Sequence, residues 1–302
     1  MNTKIAKSTI VLLLLSVLVN AQTPIVITGT KFTYPVISKW IAEYTKENPQ
    51  VQILLVNKNT DIKKIDISVV AHQPTIVDVA DKQTIPVNKY ALLPVAGQSN
   101  TYLKKLKGHG LDKKELDKLF FDESIFEDSK EKTKSPVNVY ARESHSCSAI
   151  AFASFFGRQA NELRGKKIAG DDIFLLSSVK NDSIGITFNN LSYLYDINTR
   201  KLKDGLAILP LADLSKDQNA SLNNIDGVIS TLESEKVETI PVQEINFVVS
   251  KTIENTEVLK FISWVLNNGQ QFNHQFGFLN LDKDVQSSEI LKLSEILLTA
   301  SK

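Results

Sequence analysis

Apolar and polar residues follow one another along this chain in blocks. An apolar run of strand type ends over 26–28, residues 29–33 form a polar turn, and Val36, Ile37, Trp40, Ile41 and Tyr44 then recur at helical spacing behind Pro35. Apolar-rich runs over 51–56 and 65–71 have the pattern of strands covered on both faces of a largely parallel sheet. Two longer extended stretches, 85–96 and 239–249, bracket a segment with elements of its own: strands over 137–141, 184–188 and 206–209, and a helix over 149–156. Helical patterns over 256–266 and 288–298 complete the chain. Alternating strands and helices predict an α/β protein. The simplest topology builds one domain from 22–95 and 240–302 and inserts a second, 96–239, between two crossing strands. Those strands form a hinge, with a ligand cleft between the domains.

The first 21 residues break this pattern. Lys4 and Lys7 precede an apolar stretch over 10–19, and Val19, Asn20 and Ala21 form a small-residue cleavage site, the signature of a secretory signal peptide. The stretch is half as long as a membrane-spanning helix requires. Cleavage after Ala21 makes the product periplasmic, or secreted.

Composition narrows the function. In 302 residues, 35 Lys and Arg meet 34 Asp and Glu, a formal charge of +1 that becomes −1 when the two leader lysines are removed. Nonspecific nucleic-acid binding needs a large positive excess, so no nucleic-acid partner is expected. The lysines over 104–118 and 130–134 alternate with acids, as solvated faces do. A single cysteine, Cys147, excludes an intramolecular disulfide and multi-cysteine zinc sites, and no cofactor is expected.

Candidate chemistry gathers where a strand meets a helix. After the apolar strand ending at Ala141 come Arg142, Glu143, Ser144, His145, Ser146, Cys147 and Ser148, and then a strong helical run. A serine can cap that helix, leaving free N–H groups and the positive end of its dipole to face an anion, with the Arg142 fork beside them. Gly29, Thr30, Lys31, Phe32 and Thr33 form a second such loop before a helix. One loop in each domain suits a cleft that clamps one anion from both sides.

The stretch from Gly29 to Trp40 resembles the first loop and helix of the periplasmic phosphate-binding proteins of ABC transporters, and Arg142 to Ser148 resembles that family's second anion loop. Further echoes lie in Asp182 to Ile186, in Ile65 to Ser68, and in the carboxy-terminal stretch 258–281. The resemblance covers nearly all of the mature chain and implies a two-domain, type II periplasmic-binding-protein-like fold that closes on an oxoanion, most readily phosphate. It implies donors at Thr30, Lys31 and Phe32 from one domain, and at Arg142, Ser146, Cys147 (through its N–H) and Ser148 from the other. It also implies a monomer that hands the anion to a membrane permease. Three positions depart from the family pattern. Asn59 lies in a 57–60 turn where the family has serine and glycine. His72 falls where the family has the carboxylate that accepts the proton of hydrogen phosphate. Ser144 stands where an aspartate holds the family's arginine. These changes leave a site rich in cations and poor in carboxylates, open to an organic phosphate or another oxoanion.

Two other classes compete. An enzyme would use Cys147 as nucleophile with His72 or His145 as base, but no third, orienting residue is identifiable and the expectation is a protein without catalysis. A ligand-degenerate adaptor or sensor would keep the fold and lose the site, which leaves Arg142 beside three serines without a purpose. His109 and His274 read as surface residues, and no metal site is expected.

Overall fold

A computed structural model describes residues 23–57, 64–74, 80–122, 137–253 and 255–300. The chain runs β1 (Ile25–Gly29), α1 (Tyr34–Glu47), β2 (Ile53–Leu55), β3 (Ile67–Val70), β4 (Lys82–Gly97), α2 (Thr101–Leu106), α3 (Lys113–Phe121) and β5 (Asn138–Arg142). It continues through α4 (Cys147–Phe155), β6 (Lys166–Ile168), α5 (Ile173–Lys180), β7 (Gly185–Asn190), α6 (Leu191–Leu194) and β8 (Leu206–Ile208). The last elements are α7 (Lys216–Ser221), α8 (Ile225–Ser234), β9 (Val242–Ser250), α9 (Thr256–Asn268) and α10 (Lys283–Ala300).

Among the described residues the strands lie in the order β2, β1, β3, β9, β4, β7, β5, β6, with β8 beside the end of β4. The expected largely parallel sheet is corrected to a mixed one. β1 pairs in parallel with β2 and β3, and β5 with β6 and β7, but every pairing of β4 and β9 is antiparallel. Two long strands that cross the molecule in opposite senses impose this. β2 is also only half-buried, because it is the edge strand of its group.

The crossing strands have the expected form. β4 pairs with β9 from Lys82 to Ala91, then with β7 from Leu92 to Ala96 and with β8 from Val95 to Gly97. The register against β9 slips between Pro86 and Asn88, where proline has no N–H to give the ladder. An aromatic group lies on each side of this crossing. Trp40, Tyr44, Phe247, Phe261 and Trp264 meet edge to face or stacked on one side. Phe120, Phe152 and Phe188 do so on the other, with the last two stacked at 3.7 Å. Each fully buried ring contributes about 1.5–3 kcal/mol, so each group holds its own half together. α1 shows how the sequence dictates packing: Pro35 opens it, and Val36, Ile37, Trp40 and Tyr44, spaced at three and four, are the residues it buries. No helix of the described residues is long and apolar enough to cross a membrane.

Candidate functional site

β1 ends at Gly29 with φ +145°, and a Cβ there would lie 2.2 Å from the Val69 carbonyl oxygen, so only glycine lets the strand leave β3 at this point. The Thr30 N–H and Oγ1 both donate to that same oxygen, at 3.1 and 3.2 Å, and Thr33 Oγ1 donates back to Thr30 O at 2.6 Å. Phe32 is buried against Tyr90 and Phe278, with ring centroids 5.0 and 6.1 Å away. The loop is therefore pinned at both ends and in the middle. Lys31 is exposed beside it, and as the first residues of a 3-10 turn Lys31 and Phe32 carry N–H groups with no acceptor inside the turn.

Facing this loop is the start of α4. Ser146 caps the helix in extended conformation, its Oγ accepting from Ala149 N at 3.3 Å, which leaves the Cys147 and Ser148 N–H groups without a helical acceptor. The two loops touch: Thr30 Oγ1 and Cys147 Sγ are 3.3 Å apart. Together they border a cleft of about 500 Å³, which Ser68, His72, Arg142, His145, Tyr193 and the turn Gly170–Asp172 also line. Thr30, Lys31, Phe32, His72, Arg142, Ser146, Cys147 and Ser148 thus come together as expected. Ser144 does not join them. It is exposed in the turn before α4, because the chain there bends outward to bond Ser146 N to Glu143 O at 3.0 Å. Asn59 lies outside the described residues.

Arg142, 8% exposed, is held on three sides. Nη1 donates to Ile168 O at 2.5 Å and Nη2 to Gly170 O, while Nε lies 2.8 Å from Asp172 Oδ1 in an ion pair off the line of a hydrogen bond. Asp172 also accepts from Ser148 Oγ at 3.1 Å. Burial pushes the Asp172 carboxyl above the usual carboxylate range, against the pull of Arg142 and the Ser148 hydroxyl. The arginine therefore keeps an aspartate partner, supplied by the turn before α5 and not by position 144. Sequence reasoning missed this turn, and the expectation of a carboxylate-poor site is corrected: Asp171 and Asp172 both line the cleft. A glycine at 170 followed by two consecutive acids before an apolar run was the available signal. Burial and a bond to Asp171 raise the Tyr193 hydroxyl well above its ordinary value, so it stays protonated and donates to that carboxylate.

His72 follows Ala71, whose carbonyl accepts from the buried Tyr90 hydroxyl at 2.7 Å. Its Nδ1 is buried with no hydrogen-bond partner among the described residues. Burial pushes the Cys147 thiol up, but hydrogen bonds from His72 and Thr30, with the His72 charge, more than reverse this and leave it below the ordinary thiol value. A cysteine and a histidine do meet here, yet nothing among the described residues orients the imidazole as a catalytic dyad requires. His145 is exposed and pairs with Glu143 at 3.3 Å. His109 pairs with Glu115 and His274 with Glu233, both away from the cleft lining. No group of three metal-ligating side chains occurs among the described residues.

No family model and no curated protein matches the sequence. Solved structures do match the fold. An ABC-type phosphate transport receptor from Vibrio cholerae superposes with a TM-score of 0.58 at 12% identity, over 85% of this chain and 100% of that one. PstS from Borrelia burgdorferi gives 0.52 at 16% identity, over 87% and 100%. The Synechocystis CcmR regulatory domain in complex with 2-PG gives 0.51 at 12% identity, over 80% and 95%. The chain therefore has the type II periplasmic-binding-protein fold, an architecture that both transport receptors and regulatory domains use.

Proposed function

We propose that this protein is an exported solute receptor that captures an oxoanion, phosphate first, between two lobes and delivers it to the permease of an ABC transporter. The observation that carries the reading is the pair of facing loops. The Lys31–Phe32 turn and the start of α4 direct unpaired N–H groups toward one cleft, with a buried, internally anchored arginine in its wall. Such donors are already aimed before the anion arrives, so its desolvation is offset by fixed hydrogen bonds instead of by a matched net charge. Asp171 takes the part first looked for at position 72: a carboxylate in the cleft can accept the proton of hydrogen phosphate, which fully deprotonated sulfate lacks.

In this reading residues 1–21 are a cleaved leader that sends the chain to the periplasm, and the mature protein acts as a monomer without catalysis. The lobes are 22–95 with 240–302, and 96–239. The change of pairing partners along β4 near Ala91 and Leu92 supports that division. A second ligand class is favoured by the size of the cleft. About 500 Å³ is more than one tetrahedral oxoanion fills, and a phosphorylated organic molecule fits the same donors.

Calorimetric titration of refolded residues 22–302 with phosphate, sulfate and phosphate esters tests the reading. Saturable binding of phosphate or an ester is expected, weakened at least tenfold in Arg142→Ala, with sulfate competing only in Asp171→Asn. Absence of binding by every anion would refute the receptor reading and favour an adaptor or sensor that has lost its ligand.

A further inference from the structure

Behind the cleft the chain between α9 and α10 forms a strap. Trp40 Nε1 donates to Gly269 O at 3.0 Å, Gln270 Nε2 to Val87 O at 2.7 Å, and Leu279 exchanges backbone bonds of 2.8 and 3.0 Å with Lys89. Within the strap Asn273 is fully buried, donating to Gln270 Oε1 and Asn280 Oδ1 and accepting from Asn88. These contacts fasten it to the first lobe and to the first part of β4.

The same few residues are also fastened to the second lobe. Arg200 donates from Nη1 to Gln275 O at 3.0 Å and from Nη2 to His274 O at 2.8 Å, while Asp226 of α8 accepts from its Nη2 and Nε at 2.5 and 3.1 Å. Glu233 of α8 accepts from Asn280 N at 2.7 Å and pairs with His274 Nε2 at 2.9 Å. Burial raises the Glu233 carboxyl, but His274 and the Asn280 N–H outweigh it and hold the group ionised below its ordinary value. Arg200 stands at φ +64°, a conformation a non-glycine residue adopts only when its surroundings impose it. Gly277 turns the strap at φ +80° where a Cβ would strike Ile225 Cδ1 at 2.8 Å. The next residue, Phe278, is the ring stacked on Phe32 in the anion loop.

We propose that Arg200 and Glu233 are positioning residues for the cleft: by clamping the strap to the second lobe they fix Phe278, and through it the Lys31–Phe32 turn, in register with the start of α4. The inference rests on the two-lobed receptor reading. Its chemistry is specific. A planar guanidinium serves two successive carbonyls and, from both Nε and Nη2, one carboxylate, a set of bonds that outnumbers the three donors of an ammonium group and needs the fixed fork. With the clamp released, the strap follows the first lobe alone and the two anion loops lose their common alignment.

Hydrogen exchange of the ligand-free chain tests this without any assumption about the anion. In Arg200→Ala, amide exchange is expected to rise about tenfold not only over 274–281 but also over 29–33. Arg200→Lys should behave like the alanine variant. Glu233→Gln, a milder change, should give a smaller rise over the same two segments. Asp182→Asn, which destabilises the second lobe away from the strap, should leave 29–33 unchanged. Faster exchange confined to 196–201 and 274–281, or full recovery in Arg200→Lys, overturns the proposal. Titration of the same variants with phosphate or, where the parent prefers it, a phosphate ester is a separate arm: about tenfold weaker binding through faster dissociation is expected, whereas a parent that binds none of these anions sinks the receptor reading and leaves the exchange result intact.

Discussion

Replacing Arg142 with methionine keeps an apolar stem as far as the position of Nε and removes the guanidinium. At 2.8 Å and an effective dielectric constant of 20, the contact with Asp172 is worth up to about 6 kcal/mol in Coulomb energy. The loss is capped below that figure, because the abandoned carboxylate can take up a proton. Bringing an acid of ordinary pKa near 3.9 to neutrality at pH 7 costs about 4 kcal/mol, and less here because burial has already raised Asp172. The Ile168 and Gly170 carbonyls lose a donor at about 1 kcal/mol each, and Gly170 lines the cleft, where water can replace it. The expected total is about 4 kcal/mol at pH 7, a fall in melting temperature of about 10 °C. The pH dependence identifies the cause. In the variant Asp172 is protonated when folded and ionised when unfolded, so stability drops by up to about 1.4 kcal/mol per unit as pH rises above 4, and the gap to the parent closes on acidification. Adding Asp172→Asn should restore most of the loss. Calorimetric melting between pH 5 and 8 decides the matter. A deficit below about 1 kcal/mol, a gap independent of pH, or a double variant no better than the single one would each refute the reasoning.

Three further outcomes follow from single contacts. Gly29→Ala must place a Cβ against the Val69 carbonyl at a left-handed φ and should cost about 3 kcal/mol, read as a lower denaturant midpoint; an unaffected midpoint would mean that β1 leaves the sheet differently. Burial alone would raise the Cys147 thiol, but His72 and Thr30 bring it below its ordinary value. Alkylation by iodoacetamide should therefore reach half its maximal rate at a lower pH than for the unfolded chain, and His72→Ala should move the midpoint up. Asp182 accepts from Asn138 Nδ2, Tyr140 Oη and Ile184 N at 2.8, 2.9 and 3.0 Å, and these donors outweigh partial burial and lower its carboxyl. Asp182→Asn should cost about 2 kcal/mol at pH 7, a difference that persists above the ordinary carboxylate value and disappears as pH falls below it.

The parts of the site legible in the sequence are those in which a strand runs directly into a helix. Gly29 to Phe32 and Arg142 to Ser148 each carry their signal within a few residues: glycine or serine at the turn, then apolar periodicity. The crossing strands were legible for a similar reason, since 16 residues of β4 form one extended run. The Gly170–Asp172 turn was not. β6 before it has only three residues and α5 after it only eight, and the value of Asp172 lies in a partner 30 positions away. Position 144 misled for the converse reason. It is near Arg142 in sequence, yet the guanidinium points toward the turn after β6, so adjacency along the chain says nothing about which carboxylate reaches it. The mixed sheet was hidden as well, because strand direction is set by where β9 returns and leaves no trace in the composition of β3 or β4.

That return has a consequence for the order in which the molecule can be made. β9 lies between β3 and β4 in the sheet, although it follows them by more than 140 residues. Until residue 250 is available, the facing edges of β3 and the first half of β4 have no strand to pair with, and the hinge does not exist. Contacts this distant are slow to form, and open edges held apart for so long invite pairing with other chains. A ribosome-bound or truncated chain ending before β9 is thus not a smaller version of the protein but an open sheet, and the molecule passes from unfinished to complete when its last quarter slides between two strands of its first third.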